Sequence, residues 1–247
     1  MELGLSGKSA IVCGASSGLG LGVATALAAE GVRVTMVARR EELLTERAGE
    51  IGAHPVVGDL SDPSTAGCVV ESALSWAGGL DIVVWNGGGP QPATASHIGP
   101  EDLQAAFDLL YLPAIRLIRA ALPHLEKSTA GRILAITSSG VKEPIPQIAL
   151  SNAIRPGLAG YLKSLATDLA PSGITVNCIA PGRISTDRTA QVFPDGPPAG
   201  YVDEIPMRRF GSSADLGAVA AFLASERAAY VTGTTINVDG GLARTIF

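Results

Sequence analysis

Residues 10–20 read Ala10-Ile11-Val12-Cys13-Gly14-Ala15-Ser16-Ser17-Gly18-Leu19-Gly20. A short apolar run ends in a glycine-spaced turn, and a segment of helical period follows. Strand, tight turn and helix in that order open a βαβ unit. Glycines at such a turn let the backbone approach a pyrophosphate at the helix N-terminus, where free N–H groups and the dipole favour negative charge. The same glycines would also serve a turn that needs only their dihedrals, so the spacing alone is weak.

Outward from this turn the pattern repeats. Apolar and β-branched runs alternate with longer segments of helical period. The runs are Ala10–Cys13, Val32–Val37, His54–Val57, Asp81–Trp85, Arg132–Thr137, Thr175–Ala180 and Thr235–Val238. That alternation predicts an α/β fold with a parallel sheet covered by helices on both faces. No linker or internal repeat divides the chain, so residues 1–247 read as one domain. Helices are expected over 101–124 and 150–170, with apolar residues around much of their circumference. Residues 187–210 break the rhythm with Pro194, Gly196, Pro197, Pro198, Gly200 and Pro206. A long irregular stretch inside a compact domain is usually a lid or binding loop.

Composition narrows the function. With 47% apolar residues among 247, a large core can be buried. A net charge of −5 without a basic cluster argues against nucleic-acid binding. Cys13, Cys68 and Cys178 lie far apart, with neither metal nor redox spacing, so no metal is expected and a reducing compartment is. The N-terminus has no basic region before its first apolar run, and no run approaches the length of a membrane span. The expectation is a cytoplasmic, non-membrane enzyme domain acting on a small molecule.

The end of the second run bears on the cofactor. An Asp or Glu there would take a ribose 2′-hydroxyl; an Arg would accommodate a 2′-phosphate. Here the chain reads Met36-Val37-Ala38-Arg39-Arg40. The acid is absent, and the Arg39 guanidinium can grip a phosphate with two hydrogen bonds. NADP(H) is therefore expected over NAD(H), although Glu41 and Glu42 could instead pair with either Arg. Asp59, in Gly58-Asp59-Leu60-Ser61, can accept from an adenine amino group, while Ser61 or Asp62 can equally cap a helix. Asn86-Gly87-Gly88-Gly89 permits close backbone approach to a ligand.

Taken together, Gly14-x-x-x-Gly18-x-Gly20, Asp59-Leu60, Asn86-Gly87-Gly88, Ser138, Pro181-Gly182-x-Ile184-x-Thr186 and Val238-Asp239-Gly240-Gly241 occur in order. The chain resembles the short-chain dehydrogenase/reductase family, in its single-domain, 3-oxoacyl-ACP-reductase-like branch. The resemblance runs from Leu5 to Gly241. It implies a doubly wound Rossmann-type fold with seven strands in the order 3-2-1-4-5-6-7. It implies a dinucleotide held by Gly14, Ser16, Ser17, Gly18, Leu19, Gly20, Arg39, Asp59, Leu60, Asn86, Gly87, Gly88, Arg155, Pro181, Gly182, Ile184 and Thr186. It also implies a homotetramer or homodimer.

The resemblance further implies a Tyr acid/base, a Lys four residues on, a Ser thirteen residues before the Tyr, and an Asn on the preceding helix. Ser138 matches. The other places fall at Ser151, Arg155 and Leu110, so the catalytic candidates are Ser138, Ser151 and Arg155. No tyrosine in the chain is followed four residues later by Lys. A serine hydroxyl is shorter than a phenol and a much weaker acid, and Arg155 stays protonated. Arg155 can still donate to ribose hydroxyls. Pro156 either kinks the helix or sits in its first turn. Asn152, His97, Lys142, Glu143 and Arg183 are either pocket groups or ordinary surface residues; Arg183 could select an acidic substrate. Two functions follow. One is an NADP-dependent oxidoreductase acting on a carbonyl or alcohol at an atypical site. The other is a non-catalytic dinucleotide-binding sensor or assembly subunit.

Overall fold

Seven parallel strands form one sheet in the order β3-β2-β1-β4-β5-β6-β7. They are β1 (Ser9–Cys13), β2 (Arg33–Ala38), β3 (His54–Val57), β4 (Ile82–Asn86), β5 (Arg132–Ile136), β6 (Thr175–Pro181) and β7 (Thr235–Val238). Each begins and ends within a residue of its run in the sequence. The structure is a computed structural model and describes residues 2–187, 189 and 196–246. The helices among them are α1 (Gly18–Ala29), α2 (Glu41–Ile51), α3 (Thr65–Ala77), α4 (Pro100–Leu110), α5 (Leu112–Leu125), α6 (Ala149–Leu169) and α7 (Ser213–Ala224).

Successive strand residues face opposite ways, and the central strands are buried on both faces, while β3 and β7 at the two edges are half-exposed. Ile11 and Cys13 of β1, with Val83, Ile133 and Val176 from its neighbours, pack under α3, α5 and α6. Ala10 and Val12, with Ile82, Leu134 and Ile179, pack under α1, α2 and α7. That is why the strands read as continuous apolar runs rather than alternating ones. Of the two arginines in the strands, Arg33 is exposed and Arg132 is not. Arg132 is buried, and its guanidinium donates to the carbonyls of Gly131 (2.8 Å) and Ser225 (3.4 Å), while desolvation lowers its pKa.

The helix expected over 101–124 is two helices. They meet at Tyr111, whose φ and ψ are −102° and −61°. Pro113 explains the break: it offers no N–H to Leu109, and it biases Leu112 away from helical geometry. Pro156 behaves differently. Helix α6 already begins at Ala149 and runs through it, so Pro156 is interior and not in a first turn. Ser151 therefore occupies the opening turn and Arg155 the turn above it.

Residues 188 and 190–195 of the stretch expected to form a lid lie outside the described residues. Its far end is anchored. Arg183 pairs with Glu204, donates to the Tyr201 carbonyl, and stacks 3.5 Å above the Tyr201 ring centroid. Ile205 is buried, and Met207 donates its N–H to Gly240 at 3.1 Å.

Candidate active site

The carboxyl ends of β1, β4, β5 and β6 bring the expected residues to one edge of the sheet. At the end of β1, Gly14 has φ +60°, and a Cβ there would lie 2.7 Å from Asn86 Nδ2. Asn86 itself ends β4 and donates to the Gly14 carbonyl at 3.4 Å. At Gly20 a Cβ would lie 2.7 Å from the Gly14 carbonyl carbon and 2.8 Å from Asn86 Nδ2. The turn is thus folded tightly onto Asn86, with no room for a side chain at Gly14 or Gly20. Thr186, beyond β6, lies over Gly18: a Cβ on that glycine would approach its methyl group at 3.5 Å. The Pro181-Gly182-x-Ile184-x-Thr186 motif and the glycine turn therefore face each other across this edge.

Two guanidinium groups stand beside the turn. Arg39 lies 3.7 Å from Asp59, and its side chain is 72% exposed. Such a solvated pair contributes little and gives up little on meeting a stronger anion. Arg40 reaches back to donate to Ser17 Oγ at 2.6 Å and Ser16 Oγ at 3.1 Å. The doublet Arg39-Arg40 stood in the sequence, but nothing in its spacing said that the second Arg folds onto the serines. Neither makes its ion pair with Glu41 or Glu42. Asp59 accepts from Ser61 N–H (3.0 Å) and Ser61 Oγ (2.7 Å), which, with the smaller effect of Arg39, holds its carboxyl below the usual range. Leu60 packs against the core, and Ile184 is buried.

Ser138 follows β5. Its Oγ accepts the Gly140 N–H at 3.1 Å and starts a short 3-10 turn. Ser151 and Arg155, one helical turn apart, are both 8% exposed. Arg155 Nε donates to Ser151 Oγ (3.1 Å), Nη1 to the Ile136 carbonyl (3.2 Å) and Nη2 to the Gly88 carbonyl (2.9 Å). One guanidinium thus joins α6, the end of β5 and the loop after β4. Above Gly88 the space where a Cβ would project is open. Leu110 lies 1% exposed in the last turn of α4.

The remaining polar candidates turn elsewhere. Asn152 exchanges hydrogen bonds with Ile145 across the loop (2.7 and 3.3 Å). His97 Nδ1 pairs with Thr94 Oγ1 at 2.7 Å in an exposed turn. Glu143 accepts from the Arg244 N–H at 3.0 Å. Arg183, spent on Glu204 and Tyr201, is not the open cation that would select an acidic substrate. Among the described residues no cluster could hold a metal ion, and no helix is long and apolar enough to cross a membrane.

The family model described as enoyl-(acyl carrier protein) reductase matches residues 14–243. The NADPH-dependent reductase BacG of Bacillus subtilis is 31% identical, over 98% of this chain and 100% of its own. The structure of L-sorbose reductase from Gluconobacter frateurii, complexed with NADPH and L-sorbose, superposes with a TM-score of 0.92 at 34% identity, covering 100% of both chains. The 3-ketoacyl-(acyl-carrier-protein) reductase of Brucella melitensis, complexed with NADH, gives a TM-score of 0.88 at 33% identity, over 96% of this chain and 99% of the other.

Proposed function

The chain belongs to the short-chain dehydrogenase/reductase family, in its 3-oxoacyl-ACP-reductase-like branch, and from that premise we propose an NADP-dependent oxidoreductase acting on a carbonyl or alcohol. The observation that carries this reading is the glycine turn flanked by two guanidinium groups, one within 2.6 Å of Ser17 Oγ. The turn has no space for a side chain at Gly14 or Gly20 and presents the N-terminus of α1, which fits a pyrophosphate. Arg39 and Arg40 fit a 2′-phosphate. Gly14, Ser16, Ser17, Gly18, Leu19, Gly20, Asn86, Gly87 and Gly88 would hold the dinucleotide on one side. Pro181, Gly182, Ile184 and Thr186 would hold it on the other. Bound there, a nicotinamide supplies or accepts a hydride. The chain's own task is to orient the substrate and stabilise the charge that develops.

In this proposal Ser138 polarises the carbonyl. Ser151 and Arg155 stand where the family places Tyr and Lys, and Leu110 where it places Asn. No group here matches a phenol as proton donor. Arg155 supports the cofactor site by fixing the Gly88 loop. The cytoplasm is the compartment that suits the three unpaired cysteines.

NADPH is expected to bind more tightly than NADH. Removing either guanidinium, by Arg39→Ala or Arg40→Ala, should weaken NADPH by about ten- to a hundredfold, the worth of a hydrogen bond to a charged group. NADH affinity should barely move. Calorimetric titration of both cofactors decides it; equal affinities in the natural protein would remove the NADP assignment. Oxidation of NADPH against ketones, aldehydes and quinones then separates an enzyme from a non-catalytic binding protein.

We also propose a homodimer or homotetramer. Leu110, Leu117, Ile118, Leu158 and Leu162 are absorbed by the core, but Leu109, Leu112, Ile115, Ile154, Tyr161 and Leu165 on α4, α5 and α6 remain half-exposed. Phe107, Tyr111 and Tyr161 join them, with ring centroids 4.8 and 6.2 Å apart. A second copy of the same face would cover this surface. Sedimentation equilibrium at micromolar concentration should show at least a dimer; a 25.1 kDa species would end the proposal.

A further inference from the structure

A second cleft lies at the opposite edge of the sheet. In a parallel sheet every strand starts at one edge and ends at the other, so β1, β2, β4 and β5 all begin on the edge away from Gly14 and Asn86. The five residues of β1 keep the two edges roughly 15 Å apart. The cleft has a volume of about 430 Å³, within the range of about 300–1,000 Å³ usual for small-molecule sites. Three basic side chains line it from three places. β2 supplies Arg33, the last turn of α5 supplies His124, and the chain just beyond α5 supplies Lys127. Leu74 of α3 and Leu80 form an apolar wall beside them.

The chain carries 23 acidic side chains against 18 Lys and Arg, so a basic group ordinarily finds a carboxylate. These three do not: none makes an ion pair among the described residues. Arg33 spends one N–H on the Gly7 carbonyl at 3.1 Å. Asp81, the one carboxylate lining the cleft, is occupied elsewhere. It accepts from the Ser9 N–H (2.8 Å), Ser9 Oγ (3.1 Å) and Ser128 Oγ (2.6 Å). A helix end accounts for His124 and Lys127 in part, since cations there complement the dipole. It does not account for Arg33, which a strand delivers to the same space.

Basic groups converging from separate elements suit an anion whose oxygens are arranged tetrahedrally. A carboxylate presents two oxygens in one plane. A phosphate group presents three, and the guanidinium fork matches two of them. A lone inorganic ion would leave the Leu74 and Leu80 side of the cleft unused. We propose that this cleft binds an organic phosphate, with the phosphate group among Arg33, His124 and Lys127 and the carbon portion against Leu74 and Leu80. It is a second ligand site, separate from the dinucleotide edge.

Phenyl phosphate is a suitable probe, titrated by calorimetry at fixed ionic strength because salt screens exposed charges. It should bind, and Arg33→Ala and Lys127→Ala should each weaken it about tenfold or more, the worth of a hydrogen bond to a charged group. Both side chains are exposed, so NADPH affinity should be the same in both variants as in the natural protein. The chain has three histidines, which makes a proton spectrum readable. Phenyl phosphate should move the ring C–H resonances of His124 and leave those of His54, on β3, and His97, in the loop after β4, in place. Inorganic phosphate and benzoate should each bind at least about tenfold more weakly than phenyl phosphate, the one lacking the apolar contact and the other the third oxygen. No binding of phenyl phosphate, its displacement by NADPH, a moving His97 with a still His124, or an affinity untouched by both substitutions would overturn the site. Inorganic phosphate or benzoate binding as tightly as phenyl phosphate would overturn the ligand class.

Discussion

Replacing Ser151 by Tyr and Arg155 by Lys together is expected to raise ketone reduction by about 10²–10⁴-fold, the usual contribution of a positioned general acid. The structure makes the pair a fair recipient. Helix α6 starts at Ala149, so residues 151 and 155 already stack on one face, with Ser151 Oγ and Arg155 Nε 3.1 Å apart. A lysine at 155 would sit one turn from the new phenol, and a neighbouring cation lowers a phenol's pKa from its ordinary value of about 10. Leu110 is better left for a second step. It is 1% exposed, and an Asn there would bury an amide that must find partners. The measurement is kcat for a simple ketone with NADPH saturating. An unchanged kcat, with NADPH affinity retained, would show that the carbonyl is not presented to residue 151.

Gly20→Ala is expected to abolish dinucleotide binding, by at least a hundredfold, and to lower stability by about 1–3 kcal/mol, the usual cost of overpacking. The added methyl would collide with the Gly14 backbone and with Asn86 Nδ2 at 2.8 Å. Both obstacles belong to the turn itself, so relief means moving the groups that face the pyrophosphate. Gly18→Ala is the control. Its Cβ would find ordinary contacts at 3.5 Å, and its penalty is the φ of +57°, about 1–2 kcal/mol in the left-handed region. Gly18→Ala should therefore lose stability but keep much of its NADPH affinity. Calorimetry with NADPH and a thermal melt distinguish the two. NADPH binding unchanged in Gly20→Ala would mean that this turn is not the cofactor cradle.

The strands were legible because parallel strands buried on both faces must be apolar at successive positions. The break at Tyr111 was less so. The periodicity of Leu109, Leu112, Ile115 and Ile118 continues across it, and only Pro113 marks the interruption. At the site, the motifs of the resemblance singled out Ser138, Ser151 and Arg155 along the chain. They said nothing of where the guanidinium would point. Its engagement with one carbonyl of β5 and one of the loop after β4 depends on the sheet order, which is a long-range property. The same holds for Arg40, which reaches across 24 residues to Ser16, and for Arg183, which faces Glu204 only because 201–210 folds back over β7's end.

The Arg155 guanidinium changes which parts of the molecule open together. Glycine-rich loops at a sheet edge ordinarily fluctuate on their own, with free energies far below global unfolding. Here the Gly88 carbonyl is tied at 2.9 Å to a buried side chain that is also tied to Ile136. Freeing the loop means withdrawing a buried charge from its partners. The loop after β4 therefore joins the cooperative unit of β5 and α6. Its amide protons should exchange with solvent on the slow timescale of those elements, and its fluctuations contribute little to the entropy lost when a ligand settles on it.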